Sequence, residues 1–425
     1  MDTFRIRGGA LLRGDITVSG SKNATLPLMA AALLAPGLHR LDQVPDLADV
    51  HTLAKLLHNM GAQVTFVPAE ATAPAYLTLE ASAITTYEAP YELVRTMRAS
   101  ILVLGPLLTR FRRARVSLPG GCAIGARPID QHLRGLERLG AKIVLEHGYV
   151  EATAPTGLTG AEVVFDMPTV TGTENLLLAA TLARGRTVLR NAACEPEVVD
   201  LAAALSAMGA RIEGAGGADI EIEGVEALRP LRHRVVADRI ECGTFLVAGA
   251  LMGGPLRVCG GVAAHQVALL SKLRAVGAQI ALDGDTFEVN RAPAPRAVDI
   301  ATAPYPGFPT DMQAQIMTLL SVSAGTSLIS ETIFENRFMH VAELDRLGAH
   351  IRVDGGRALV QGVPGLSAST VMATDLRASA CLVLAGLIAD GETLVRRIYH
   401  LDRGYERLEN KLQAVGAQIV REKET

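Results

Sequence analysis

The sequence predicts an α/β protein of two domains, built from one strand-and-helix unit repeated six times. Three observations carry that expectation: a recurring Gly-Ala signature, an apolar helix ahead of each copy of it, and a length beyond one ordinary core. The chain has 425 residues, of which 49% are hydrophobic and 20% charged. Such a composition buries well, and the length favours two domains.

The signature is an apolar residue, Gly-Ala, any residue, then Ile or Val. It occurs as MGAQV at Met60, LGAKI at Leu139, MGARI at Met208, VGAQI at Val276, LGAHI at Leu347 and VGAQI at Val415. The copies lie about 70 residues apart, with a longer first interval, which marks a repeat architecture. Glycine just past a helix adopts the left-handed conformation that ends it, and the following Ile or Val starts a strand.

Each copy reads in the same order. A nearly all-apolar helix comes first, at 24–35, 99–108, 176–183, 245–252, 316–322 and 378–388. Apolarity all round predicts burial. A short strand follows, for example Arg115–Leu118 or Thr187–Arg190, then a helix with apolar residues three or four apart, such as LAKLLHNM. The Gly-Ala turn and one or two strands close the copy. The last copy stops soon after Ile419, while the chain opens on strand-like residues Phe4–Arg7 and Ile16–Val18. These N-terminal strands are expected to complete the last copy. One domain would then hold residues 22–236 and the other 1–21 with 237–425. The chain would cross between them twice, which predicts a hinge.

The starts of the buried helices carry polar residues. They are Lys22 and Asn23, Arg95 and Arg98, Thr169, Thr171, Glu174 and Asn175, Asp238, Arg239 and Glu241, Asp311, and Asp375 with Arg377. Helix N-termini offer free N–H groups and partial positive charge, so a set of them facing one way favours an anion. Asp238 and Asp375 also read simply as N-caps. Capping does not account for Lys22 or Arg98, because a cation at a helix N-terminus is electrostatically unfavourable unless something negative is bound there. Arg127, Arg337 and Arg403 recur in the loops that enter the outer helices, and their planar forks suit phosphate and carboxylate.

Net charge is only −3, which gives no global attraction to nucleic acid. No apolar run is long enough to span a membrane, and MDTFRIRGGA has no apolar signal core. Five cysteines with no C-x-x-C pair and no zinc-like spacing fit reduced thiols in a cytoplasm, without a metal or other cofactor. Cys242 and Cys381 sit in apolar helices and read as small buried residues, and Cys194 and Cys259 also read as inert. Cys122 differs. It lies in LPGGCAIGARP, a glycine-rich loop matching neither a P-loop nor a dinucleotide fingerprint. Nearby Arg127 and a following helix N-terminus would favour its thiolate.

GSKNATLP, TMRASILVLGP, LPGGCAIGARP, FPTDMQAQ, ENRFMH, DLRASA and HLDRGYERLENKL run through essentially the whole chain. With them the sequence resembles the UDP-N-acetylglucosamine 1-carboxyvinyltransferase family of enolpyruvyl transferases, within the EPSP synthase superfamily. The resemblance implies two inverse, inside-out α/β barrels, each from three βαβαββ units. It implies attack of the 3′-hydroxyl of UDP-N-acetylglucosamine on C2 of phosphoenolpyruvate, and phosphate loss from a tetrahedral intermediate. By resemblance Cys122 is the proton donor and Asp311 the base, with Lys22 and Arg403 also catalytic. Lys22, Asn23, Arg127, Arg377 and Arg403 would hold phosphoenolpyruvate. Asn23, Arg98, Arg127, Pro128, Ile129, Asp130, Gln131, Thr169, Val170, Asp311 and Ile333 would line the nucleotide-sugar site. With roles divided between the two halves, catalysis is expected to need the domains to close.

Two departures stand out. DMPTVTGTEN around Met167 replaces a Lys and a Val-Gly pair found in some relatives, and Phe66–Pro90, rich in Ala, Thr and Pro, reads as an extended surface loop. Three other functions compete. A sister transferase acting on shikimate 3-phosphate shares donor and fold but does not need the cysteine loop. A silent nucleotide-sugar binder would lack Cys122, Asp311 or Lys22. A dinucleotide oxidoreductase would need a strand-G-x-G-x-x-G-helix arrangement that this chain lacks.

Overall fold

A computed structural model of the protein describes residues 2–70, 73–118 and 128–423. Their contacts divide them into two units: an inserted unit within 20–236, and a flanking unit made of 2–19 with 237–423.

The Gly-Ala endings do the same job six times. Gly61, Gly140, Gly209, Gly277, Gly348 and Gly416 all have φ between +89° and +114°. The N–H of each following alanine returns to a carbonyl five residues earlier, from Ala62 to Leu57 at 3.1 Å through Ala417 to Leu412 at 3.0 Å. This six-to-one bond is the Schellman closure, which satisfies a helix-end carbonyl and turns the chain. The alanine is buried in every copy, so the turn is pinned by packing as well as by hydrogen bonding.

Each unit is an inside-out α/β barrel, with helices within and three four-stranded sheets outside. In the inserted unit the largely buried helices are Lys22–Ala31, Leu104–Phe111 and Val170–Ala180. In the flanking unit they are Arg239–Met252, Gln313–Ser321 and Leu376–Ile388. The three helices of the flanking set touch one another, and in the inserted set Val170–Ala180 touches both others, which explains why their sequences lack a polar stripe. Amphipathic helices such as Ala48–Asn59 bury only one face, here Val50, Leu53, Leu56 and Leu57. Each unit has its own hydrophobic core.

Every sheet has one parallel and two antiparallel pairings, and the registers correct the sequence reading in two places. The first N-terminal strand, Asp2–Arg7, does complete the last copy, pairing with Glu392–Arg396 and Gln418–Lys423. The second, Leu12–Thr17, instead leads copy four, running parallel to Gly253–Cys259 with Ile16 opposite Val258. Copy one takes its leading strand, Arg232–Arg234, from the far end of the inserted unit. The described residues of Phe66–Pro90 also hold more regular structure than its composition suggests. It contains the end of strand Gln63–Val67, its partner Tyr76–Glu80 and the edge strand Glu88–Ala89. Alternation of Leu77 and Leu79 into the core fixes that register.

Gly105 marks a close crossing of two buried helices. Its N–H donates to Asn175 Oδ1 at 2.7 Å, and an added Cβ would stand 2.4 Å from the Asn175 backbone oxygen. Backbone cannot swing aside as a side chain can. Gly105→Ala is expected to cost about 1–3 kcal/mol, read as a lower denaturant midpoint. An unchanged midpoint would show that these helices spread freely.

Candidate active site

In the inserted unit, Ser21 caps the first buried helix by accepting from Ala24 N at 3.3 Å. That places Lys22 and Asn23 in the first turn. Lys22 Nζ lies 3.4 Å from Asp49 Oδ2, with both side chains nearly buried. Arg98 begins the turn before the second buried helix and donates to Pro128 O at 3.1 Å. Ile129 is buried, and Asp130 opens the next helix, paired with Arg134 one turn on.

Gln131 gathers the rest of this group. Its Oε1 accepts from Asp166 N at 2.7 Å, and its Nε2 donates to Met167 O at 3.3 Å. Segment 128–131 is thereby tied to the turn before Thr169, which caps its helix by accepting from Gly172 N at 3.3 Å. Val170 follows as the first helical residue. Met167 itself is 65% exposed, so the departure seen in the sequence is an apolar side chain offered to solvent. Cys122 and Arg127 lie outside the described residues. His132, ten residues after Cys122, is structural. It is 1% exposed and lies 3.3 Å from Thr171 Oγ1 and 3.2 Å from Asn175 Nδ2. Burial, aided by Arg98, pushes its pKa down to about 3, so the ring is neutral.

In the flanking unit the central feature is a carboxylate between two arginines. Arg337 donates to Asp311 Oδ1 at 2.7 Å, and Arg377 donates to Oδ2 at 2.8 Å. The arginine side chains are 4% and 6% exposed, while that of Asp311 is 28% exposed. Burial alone would raise the Asp311 pKa, but Arg377 and Arg337 outweigh it and hold the carboxyl well below the usual range. Neighbouring Thr310 donates to Glu331 Oε2 at 2.9 Å. Glu331 Oε1 accepts from Ile333 N at 2.9 Å, which fixes the half-buried Ile333 close in the chain to Arg337. Arg403 ends the short helix Ile398–Arg403 and is half-buried.

Asp238 and Asp375 are N-caps. Asp238 Oδ1 accepts from Ile240 N and Glu241 N, and Asp375 Oδ1 from Arg377 N and Ala378 N, all within 2.8–3.1 Å. Two of the cations at helix starts meet carboxylates of their own unit, Lys22 with Asp49 and Arg377 with Asp311. Two other polar helix-start residues serve the fold. Asn175 bridges Gly105 N and Ile101 O, and Glu241 accepts from Ser19 N at 2.6 Å and Lys411 Nζ at 2.7 Å.

Sequence reasoning missed Glu331 and the buried polar residues Thr244, Gln315 and Tyr405. The available signal was a polar residue inside an otherwise apolar helix, as in FPTDMQAQ.

Buried helices within three-sheet barrels, with charged side chains at the helix starts, define a class. The chain belongs to the EPSP synthase (3-phosphoshikimate 1-carboxyvinyltransferase) family, whose model matches residues 6–412. It is 63% identical over 422 residues to the UDP-N-acetylglucosamine 1-carboxyvinyltransferase of Anaeromyxobacter dehalogenans (strain 2CP-C), covering 99% of each chain. The enolpyruvyl transferase NikO from Streptomyces tendae shares 29% identity and superposes with a TM-score of 0.88 over 99% of both chains. EPSP synthase from Acinetobacter baumannii, 17% identical with a TM-score of 0.75 over 100% of both chains, is alike in fold alone.

Proposed function

We propose that this enzyme transfers the enolpyruvyl group of phosphoenolpyruvate to the 3′-hydroxyl of UDP-N-acetylglucosamine, releasing phosphate. That is the first committed step of peptidoglycan synthesis. On the molecule itself, the observation that carries the reading is Asp311 held between Arg337 and Arg377. Full-length likeness to the relative from Anaeromyxobacter favours the nucleotide sugar over shikimate 3-phosphate as acceptor.

The acceptor hydroxyl oxygen forms a bond to C2 while C3 takes a proton, giving a tetrahedral intermediate. Loss of phosphate and of a C3 proton then restores the double bond. Both substrates are anions, and Lys22, Arg127, Arg377 and Arg403 are assigned to the phosphate and carboxylate of phosphoenolpyruvate. Asn23 is assigned a hydrogen bond to the intermediate. Cys122 is assigned the proton delivered to C3, and Asp311 the proton taken from the hydroxyl. Arg98, Arg127, Pro128, Ile129, Asp130, Gln131, Thr169, Val170 and Ile333 are assigned to the nucleotide sugar. The network through Gln131 supports that grouping for 128–131 with 169–170.

A carboxylate gripped by two arginines is a weak base, because general bases work best with a pKa near the operating pH. An anion engaging Arg377 competes with Asp311 for that guanidinium. Phosphoenolpyruvate binding therefore raises the Asp311 pKa toward its working range. No helix among the described residues is long and apolar enough to cross a membrane. We assign the enzyme to the cytoplasm, and take residues 1–21 with 237–425, and 22–236, as its two domains.

Incubation with both substrates is expected to release phosphate stoichiometrically with enolpyruvyl ether. Turnover with shikimate 3-phosphate but none with the nucleotide sugar would reverse the acceptor assignment, and no release with either would leave a binding protein.

A further inference from the structure

A small polar knot joins two buried helices of the flanking unit, through Thr244 and Gln315, to Tyr405. Thr244 Oγ1 donates to Ile240 O at 2.8 Å, in its own helix. With its hydroxyl hydrogen directed at that carbonyl, the 2.8 Å contact between Thr244 Oγ1 and Tyr405 Oη takes the phenol as donor. Gln315 Nε2 then donates to both, at 3.1 Å to Tyr405 and 3.2 Å to Thr244. None of the three side chains is more than 1% exposed. The phenol both donates and accepts, so its ring has one orientation.

That ring is a floor for Arg377, whose guanidinium carbon lies 5.7 Å from the ring centroid while its Nη2 reaches Asp311. Tyr405 also closes the turn carrying Arg403: Tyr405 N and Gly404 N both donate to Leu401 O at 3.0 Å. Gly404 permits the close approach, since a Cβ there would stand 2.6 Å from the side chain of Leu376, next to Arg377. One anchored aromatic residue therefore touches the supports of both arginines.

We propose that Tyr405 is a positioning residue, whose hydroxyl, locked to Thr244 and Gln315, sets the arginines that receive phosphoenolpyruvate. The inference rests on the assignment of Arg377 and Arg403 to that substrate. A fixed guanidinium holds the reacting group at the right distance, whereas one on a tilting ring samples unproductive poses.

Tyr405→Phe keeps the ring and removes only the anchor. It is expected to raise KM for phosphoenolpyruvate by about tenfold or more, since small misplacements are costly at this range. Nucleotide-sugar Kd should stay within about twofold. Thr244→Val, which removes the acceptor from the other side, should give the same selective shift. The idea is overturned if KM for phosphoenolpyruvate is unchanged in both variants, or if both substrates weaken equally, which marks a residue serving the fold alone. Wild type is assayed alongside. Its failure to release phosphate removes the functional reading as well, whereas normal wild-type turnover with an unshifted variant removes only the role of Tyr405.

Discussion

Asp311→Asn is expected to lower phosphate release by about three orders of magnitude, within the range for loss of a general base, while nucleotide-sugar binding survives. The amide matches the carboxylate in shape but cannot take a proton, and it presents a hydrogen-bond donor to at least one arginine. Arg337 and Arg377 lose their neutralising partner in a nearly buried setting, so the fold should also weaken. Breaking a fully buried pair costs about 3–5 kcal/mol, but water at the partly exposed Asp311 reduces the loss. The sign of the pH effect follows from the depressed pKa. The ion pairs contribute fully above the ordinary carboxylate value of 3.8, and the contribution is lost only as pH falls below it. Wild type should therefore lose this stabilisation in strong acid, and the Asn variant should not. Stopped assays and acid denaturation of both proteins check the two effects. Retention of more than a tenth of wild-type kcat would remove Asp311 from the role of base.

Loss of the Cys122 thiol is the other large effect expected. Cys122→Ser should lose at least about a hundredfold in turnover, as for a missing general acid, and still bind the nucleotide sugar. Fosfomycin should inactivate the wild type: the thiolate attacks an epoxide carbon, the ring C–O bond breaks, and the oxygen takes a proton. Mass spectrometry should find one adduct, on Cys122, and Cys122→Asp should resist. Three of the other cysteines are poor competitors. Burial pushes the Cys242 and Cys381 thiols up, and burial with nearby Glu195 does so at Cys194, which leaves little thiolate. An adduct on any of these, or undiminished inhibition of the Asp variant, would sink the assignment.

Features set by local chemistry were legible in the sequence. Six helix ends could be read because a left-handed glycine followed by a buried alanine is a short-range device. The caps at Asp238 and Asp375 were legible as one of two readings, since a cap bonds only two or three residues ahead. Pairings across long stretches of chain were not. Nothing near Leu12 says that it runs beside Gly253, and nothing near Lys22 or Arg377 names Asp49 or Asp311 as the partner. Composition misled at Phe66–Pro90, where alanine, threonine and proline hid a five-residue alternation from Tyr76 to Glu80. Asp311, Arg337 and Arg377, which the structure brings together, were named from the sequence. Their supports, Glu331, Gln315, Thr244 and Tyr405, were not, because a buried polar residue declares its purpose only once its neighbours are known.

The strand exchange at the two ends of the chain has a consequence for how the protein is made. A ribosome delivers the inserted unit whole once residue 236 has emerged, since every strand of its three sheets lies between 38 and 234. Asp2–Arg7 emerges long before either of its neighbours, Glu392–Arg396 and Gln418–Lys423. Domains fold as units during synthesis, so the inserted barrel matures while the opening strand still waits unpaired. Premature termination anywhere after residue 236 should thus leave one finished barrel on an unfinished partner.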